Sequence, residues 1–307
     1  MADDHAERSE VNELKGTGRH HHTSSIAAGA ACIAALLMSL FSACTIATIP
    51  EEEPALRAVT TIPPLADFLE HVGGGLVQVT IMVPAGASPH TYEPTPGQMS
   101  EVAHADVYFK VGSGVEFELV WLDKLIAQNP EMPVVDCSRG IELIDDDPHI
   151  WNSPLNAITM VHNIIEGLAS VDPDNTDTYA KNGAAYVDEL RALHSEIKQM
   201  FEGADSRYFL VYHPSFAYFA DEYDLIQLAI EEEGKATTPQ TLQRTIDTAR
   251  KHGLRYVFVE PQFATAEAEG IAETLGAEVV AIDPLPRIYI PAMRSTAEAI
   301  ARELKQE

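Results

Sequence analysis

The stretch DPDNTDTYAKNGAAYVDELRALHSEIKQMF, residues 172–201, contains no proline beyond Pro173 and a single glycine, Gly183. Tyr179, Tyr186, Leu190, Leu193, Ile197 and Met200 recur along it at spacings of three, four and seven, which is one face of an α-helix. The pattern predicts a helix of about 28 residues, roughly 40 Å long, more than twice the mean for globular proteins. A helix of that length in the middle of a chain spans the molecule. It predicts a rigid backbone over residues 172–203, joining an N-terminal lobe at 57–171 to a C-terminal lobe at 204–307.

On both sides of that helix, short β-rich runs alternate with amphipathic ones. Before it, strands are expected at Val59–Ile62, Val77–Val83, Val107–Val111 and Val134–Cys137. After it they are expected at Tyr208–Tyr212, Leu225–Ile230, Tyr256–Val259 and Val279–Ile282. Single helices separate most neighbours, and strands that alternate with helices make βαβ units and parallel sheets. The fold class is therefore α/β: two parallel-sheet lobes joined by one long helix. In open parallel sheets ligands bind beyond the carboxyl ends of the strands, so a site is expected in the cleft between the lobes.

Four segments place chemistry at such ends: Ser88-Pro89-His90, Asp147-Pro148-His149, Tyr212-His213-Pro214 and Ile282-Asp283-Pro284. Each combines a polar side chain with a proline, which stiffens the loop and lowers the cost of ordering it. Three imidazoles and a carboxylate, His90, His149, His213 and Asp283, make a four-coordinate shell for a divalent transition metal. Of the 12 histidines, His71, His104, His162, His194 and His252 fall within predicted helices or at their ends and are set aside. No HExxH, CxxC pair or Cys2His2 finger is present.

The chain has 307 residues, 46% of them hydrophobic, with a formal net charge of −27. That surface would repel nucleic acid and excludes polyphosphate partners. From Ile26 to Ala43 runs an uncharged, Ala- and Leu-rich stretch, preceded by Lys15, Arg19 and His20-His21-His22 and ending in Phe41-Ser42-Ala43-Cys44. It reads as an export leader, residues 1–44. Its end resembles a lipobox with Cys44 as the lipidated residue, although Phe41 stands where leucine is usual. The alternative is an uncleaved anchor, since about 18 apolar residues just span a bilayer. The histidine triplet belongs to the leader. An acidic tether, residues 45–56, follows it. Only Cys137 remains beyond Cys44, so no intramolecular disulfide staples the body of the protein.

The four segments together resemble the ligand loops of the zinc/manganese-type (cluster A-I) solute-binding proteins of ABC importers. Gly86-Ala87-Ser88-Pro89-His90-Thr91-Tyr92-Glu93-Pro94, Asp147-Pro148-His149-Ile150-Trp151, Tyr212-His213-Pro214-Ser215-Phe216 and Ile282-Asp283-Pro284-Leu285 carry the likeness. Ala105-Asp106-Val107-Tyr108, Thr238-Pro239 and Val259-Glu260-Pro261-Gln262-Phe263 add to it. The resemblance implies lipid anchoring on the outer face of the cytoplasmic membrane and delivery of a metal to a permease served by an ATPase subunit, with no catalysis. A monomer is expected.

Zn2+ is the expected cargo, because a histidine at position 213 resembles the zinc-type set and imidazoles suit zinc. Mn2+, or broad metal uptake, is the alternative: the long His-rich loop of many zinc members is missing. Glu260 is expected to orient a ligand imidazole, and Trp151, Phe216 and Tyr218 to wall the site. Two further readings share these residues. An exported zinc hydrolase would use Glu260 or Glu93 as base; an adhesin or sensor would hold the same site.

Overall fold

The computed structural model describes residues 55–231, 237–263 and 265–305. The leader, Cys44 and most of the acidic tether lie outside the described residues. Strands β1 (Leu56–Thr60), β2 (Val77–Ile81), β3 (Val107–Lys110) and β4 (Val134–Asp136) form one sheet. Strands β5 (Tyr208–Val211), β6 (Ile226–Ala229), β7 (Tyr256–Val259) and β8 (Glu278–Ala281) form a second. Both are wholly parallel, with orders β2-β1-β3-β4 and β6-β5-β7-β8. The expected α/β architecture is borne out, including its long helix.

The helices are α1 (Pro63–Gly73), α2 (Pro96–Ala103), α3 (Glu116–Ile126), α4 (Pro154–Val171), α5 (Thr176–Met200), α6 (Ala217–Glu222), α7 (Pro239–Lys251), α8 (Thr265–Leu275) and α9 (Tyr289–Leu304). Three of them start with one device. Thr95, Ser153 and Thr238 are N-caps whose hydroxyls accept from Gln98 N, Asn156 N and Thr241 N, and each is followed by a proline. The cap satisfies an orphan N–H, and proline at the first turn has no N–H to waste.

Most strands are one to three residues off the expected bounds at one end or both; two differences have a clear local cause. β1 ends at Thr60, two residues early, because Pro63 and Pro64 begin α1 and hold Ile62 extended (φ −129°, ψ 157°) as its N-cap. The long helix begins at Thr176, after a separate 3-10 turn at Pro173–Asn175. Asp172 closes that turn, its Oδ2 accepting from Asn175 Nδ2 (2.8 Å) and Tyr179 OH (2.5 Å). The 25 residues of α5 still give a rod of about 37 Å.

Tyr179, Tyr186, Leu190, Leu193 and Ile197 are buried along α5, as the stripe predicts, while Met200 is part-buried. This face packs on α1 and α4 of the first lobe and on α9 of the second. A Cβ at Gly183 would lie 2.3 Å from Ile165 Cδ1, so a larger residue would require the Ile165 side chain to move where α5 meets α4. In the second sheet, alternate residues serve different cores. Phe209, Val211 and Phe258 join the large core that runs continuously from the first lobe. Leu210, Val257 and Val259 join a smaller one with Ile246 and Ala249 of α7 and Ala268, Ile271 and Ala272 of α8.

Candidate metal centre

His90 lies in the loop after β2, His149 after β4 and His213 directly after β5, all at carboxyl ends of strands. Their candidate ligand atoms lie within 4.8 Å of one another, the one such cluster of His, Cys, Asp and Glu among the described residues. His149 and His213 are buried; the His90 side chain keeps 14% of its surface exposed. The cavity between them is about 20 Å3, lined also by Ser88, Pro89, Trp151, Gln262, Phe263, Pro284 and Leu285.

Gln98 fixes the His90 loop at both ends. Its Nε2 donates to Ile81 O (3.1 Å) and Met82 O (2.6 Å), and its Oε1 accepts from Thr95 N (3.0 Å) and Tyr92 OH (2.9 Å). Ser113 Oγ holds the His149 loop through Pro148 O (2.5 Å). His213 follows a central strand, so both neighbouring strands flank it with acids: Glu231 after β6 and Glu260 after β7.

Each imidazole has a carboxylate at Nδ1. Asp147 Oδ1 stands 2.7 Å from His149 Nδ1, Glu116 Oε2 stands 3.2 Å from His90 Nδ1, and Glu231 Oε1 makes a short contact with His213 Nδ1. A carboxylate there holds the proton on Nδ1, fixes the ring and directs the Nε2 lone pair away from it. The Nε2 atoms of His149 and His213 face each other at 3.3 Å. With Nδ1 protonated on both rings, two lone pairs meet there, an arrangement that a cation relieves. A tetrahedral zinc with bonds of 2.0–2.1 Å separates its nitrogens by about 3.3–3.4 Å.

Asp283, the fourth expected residue, sits beyond β8. Its Oδ1 accepts from Gln262 Nε2 (2.8 Å) and Leu285 N (2.9 Å), and it is not among the clustered three. Glu260 is fully buried and reaches the main chain of His213, not its ring: His213 N donates to Oε2 (3.2 Å) and Ser215 Oγ to Oε1 (3.4 Å). Burial, reinforced by the charge of Glu231, raises the Glu260 carboxyl to about 8. Trp151 lies edge-on to His149 (5.3 Å between ring centres), and its indole donates across the lobes to Pro284 O (2.6 Å). Tyr218 stands back from the cavity. Its hydroxyl donates to Asp147 O (3.0 Å) and accepts from Ile144 N (2.9 Å), which steadies the residue behind His149. Phe216 is core; Phe263, stacked on His213 at 4.5 Å, is the aromatic wall on that side.

The model of the periplasmic zinc-uptake complex component A family, ZnuA, matches residues 58–303. The chain belongs to this family. The resemblance read from its four loops is thereby borne out. The zinc-binding lipoprotein AdcA of Streptococcus pneumoniae is 25% identical over 285 residues, taking in 82% of this chain and 56% of AdcA. The chain thus spans about half the length of that relative. The manganese-binding lipoprotein MntA of Halalkalibacterium halodurans is 32% identical over 225 residues, 68% of this chain and 72% of MntA. A solved deletion mutant of ZnuA with zinc bound has a TM-score of 0.79 at 40% identity, covering 83% of this chain and 100% of that one. All three are described as metal-binding or metal-uptake proteins and none as an enzyme.

Proposed function

We propose that this protein captures a divalent transition metal outside the cytoplasm and hands it to the permease of an ABC importer, with zinc as the main cargo. It acts as a binding protein and not a catalyst. His90, His149 and His213 supply nitrogen ligands and Asp283 a carboxylate. The 3.3 Å approach of two Nε2 atoms, each ring backed by a carboxylate, carries the reading. An all-imidazole nitrogen set favours zinc over the more oxygen-seeking manganese. Manganese remains the second cargo, a reading supported by the likeness to MntA. The protein works as a monomer held at the outer face of the membrane through Cys44 or an uncleaved leader.

Calorimetric titration of metal-stripped protein with zinc, then with manganese in competition, tests this. One tight zinc site is expected, weakened at least about 100-fold in His213→Ala with the circular dichroism unchanged. An unaltered titration in that variant removes His213 from the site.

A further inference from the structure

Gln262 holds a polar atom that nothing among the described residues satisfies. Its Oε1 is buried and has no hydrogen-bond partner among them, although Gln262 lines the cavity shared by the three imidazoles. The orientation of the amide is not arbitrary. Asp283 Oδ1 also takes the Leu285 N–H, and a carboxylate only accepts, so the Gln262 atom 2.8 Å away must be the NH2 group. Asp283 and the β8–α9 loop therefore pin Gln262 with its carbonyl oxygen as the remaining group. A buried carbonyl left unpaired costs about 1–3 kcal/mol, and native chains keep few of them without a use. The cavity, about 20 Å3, is close to the volume of one water-sized occupant. Gln262 is on its wall, and the carbonyl oxygen is the one polar atom of that side chain with no partner among the described residues.

We infer that Gln262 Oε1 is an oxygen donor to the bound ion, adding to the imidazoles and Asp283 and widening the site toward ions that prefer oxygen. The inference rests on the metal-capture reading above. Neutral amide oxygen is hard and uncharged: it matters little to an ion satisfied by imidazole and more to manganese. Asp283, through Oδ1, positions this donor, and its Oδ2 is left for the ion.

The test compares Gln262→Leu with the wild-type chain, titrating with zinc and with manganese and recording the visible spectrum of the cobalt(II)-loaded protein. Manganese affinity is expected to fall about tenfold or more and zinc affinity only a few-fold. The cobalt bands should intensify as the coordination number drops. Equal losses for both ions with an unchanged cobalt spectrum would mean that Gln262 merely props Asp283, and would overturn the inference. So would no change at all. His213→Ala, run in parallel, separates the two levels: a large loss there beside an unaffected Gln262→Leu rejects only the Gln262 donor, whereas no loss in either rejects the site itself. Should Gln262→Leu fold poorly, Gln262→Met, which keeps length and removes the amide, gives the same readouts.

Discussion

The two lobes share a strand order and differ in what they do with the place where it reverses. In the first lobe the switch lies between β1 and β3, and a closed polar knot fills it. Glu118 accepts from Thr61 Oγ1 (2.5 Å), Val111 N (2.7 Å) and Gly112 N (3.0 Å), and Tyr108 OH bonds Thr61 (3.0 Å). In the second lobe the switch lies between β5 and β7, and His213, Glu231 and Glu260 occupy it, with the imidazole turned out toward the cavity. Burial raises the acid in both places, Glu118 and Glu260 alike. The first lobe therefore spends its switch point on its own backbone and brings its two clustered histidines from loops beyond its edge strands β2 and β4. The second lobe brings one from a central strand. Topology marks where a site can be; the side chains decide whether one is there.

The largest expected effect is on the pH dependence of the metal-free protein, read at the acid of the second lobe. A carboxyl whose folded pKa exceeds its unfolded value holds its proton more tightly when folded. The stabilisation from Glu260 is complete below about pH 4.5 and is lost as the pH rises to about 8. Stability should fall through that window with a slope of up to about 1.4 kcal/mol per pH unit. Denaturant melts of Glu260→Gln across it should show a flatter line; an unchanged slope would refute the raised carboxyl.

Next in size are two swaps of acid for amide, one in each lobe. Glu231→Gln should weaken zinc binding about 10- to 100-fold, because the amide no longer fixes the His213 ring as a carboxylate does. Glu118→Gln should leave zinc affinity alone and cost about 1–3 kcal/mol of stability, since one amide end cannot accept the hydrogen bonds donated to it. If Glu118→Gln weakened zinc binding as much as Glu231→Gln, the contrast between the lobes would collapse.

The smallest effect concerns the seam between them. Trp151→Phe keeps the ring beside His149 and removes the N–H that reaches Pro284 O. About 1 kcal/mol of stability should go, read as a lower melting temperature. Phe at this position melting as the parent does would show that the cross-lobe bond contributes nothing.

Much of this molecule is legible along the chain. Proline-stiffened histidines announce themselves because the loop and its imidazole are adjacent in sequence, as in Asp147-Pro148-His149. The stripe from Tyr179 to Ile197 announces α5 because a helix is a local, periodic object. The carboxylates behind the imidazoles are not all local. Glu231 lies 18 residues beyond His213, and only the parallel pairing of β5 with β6 brings their ends together. Glu116 reaches His90 across 26 residues of chain. Glu260 was legible as an acid beside the site, but which atom of His213 it meets depends on the β5–β7 register. Phe216 and Tyr218 read as site wall because they follow His213 closely. The turn into α6 carries them away, and Phe263 from the β7–α8 loop takes that place.

By itself, then, the sequence determined the α/β class, the long linking helix, the three histidines and the family, since each is written in short-range pattern. Tertiary structure alone decided which carboxylate backs each ring, how close two Nε2 atoms come, and that Gln262 lies on the wall of their cavity. These depend on strand register and on packing between lobes, where shifts of an ångström separate a contact from none.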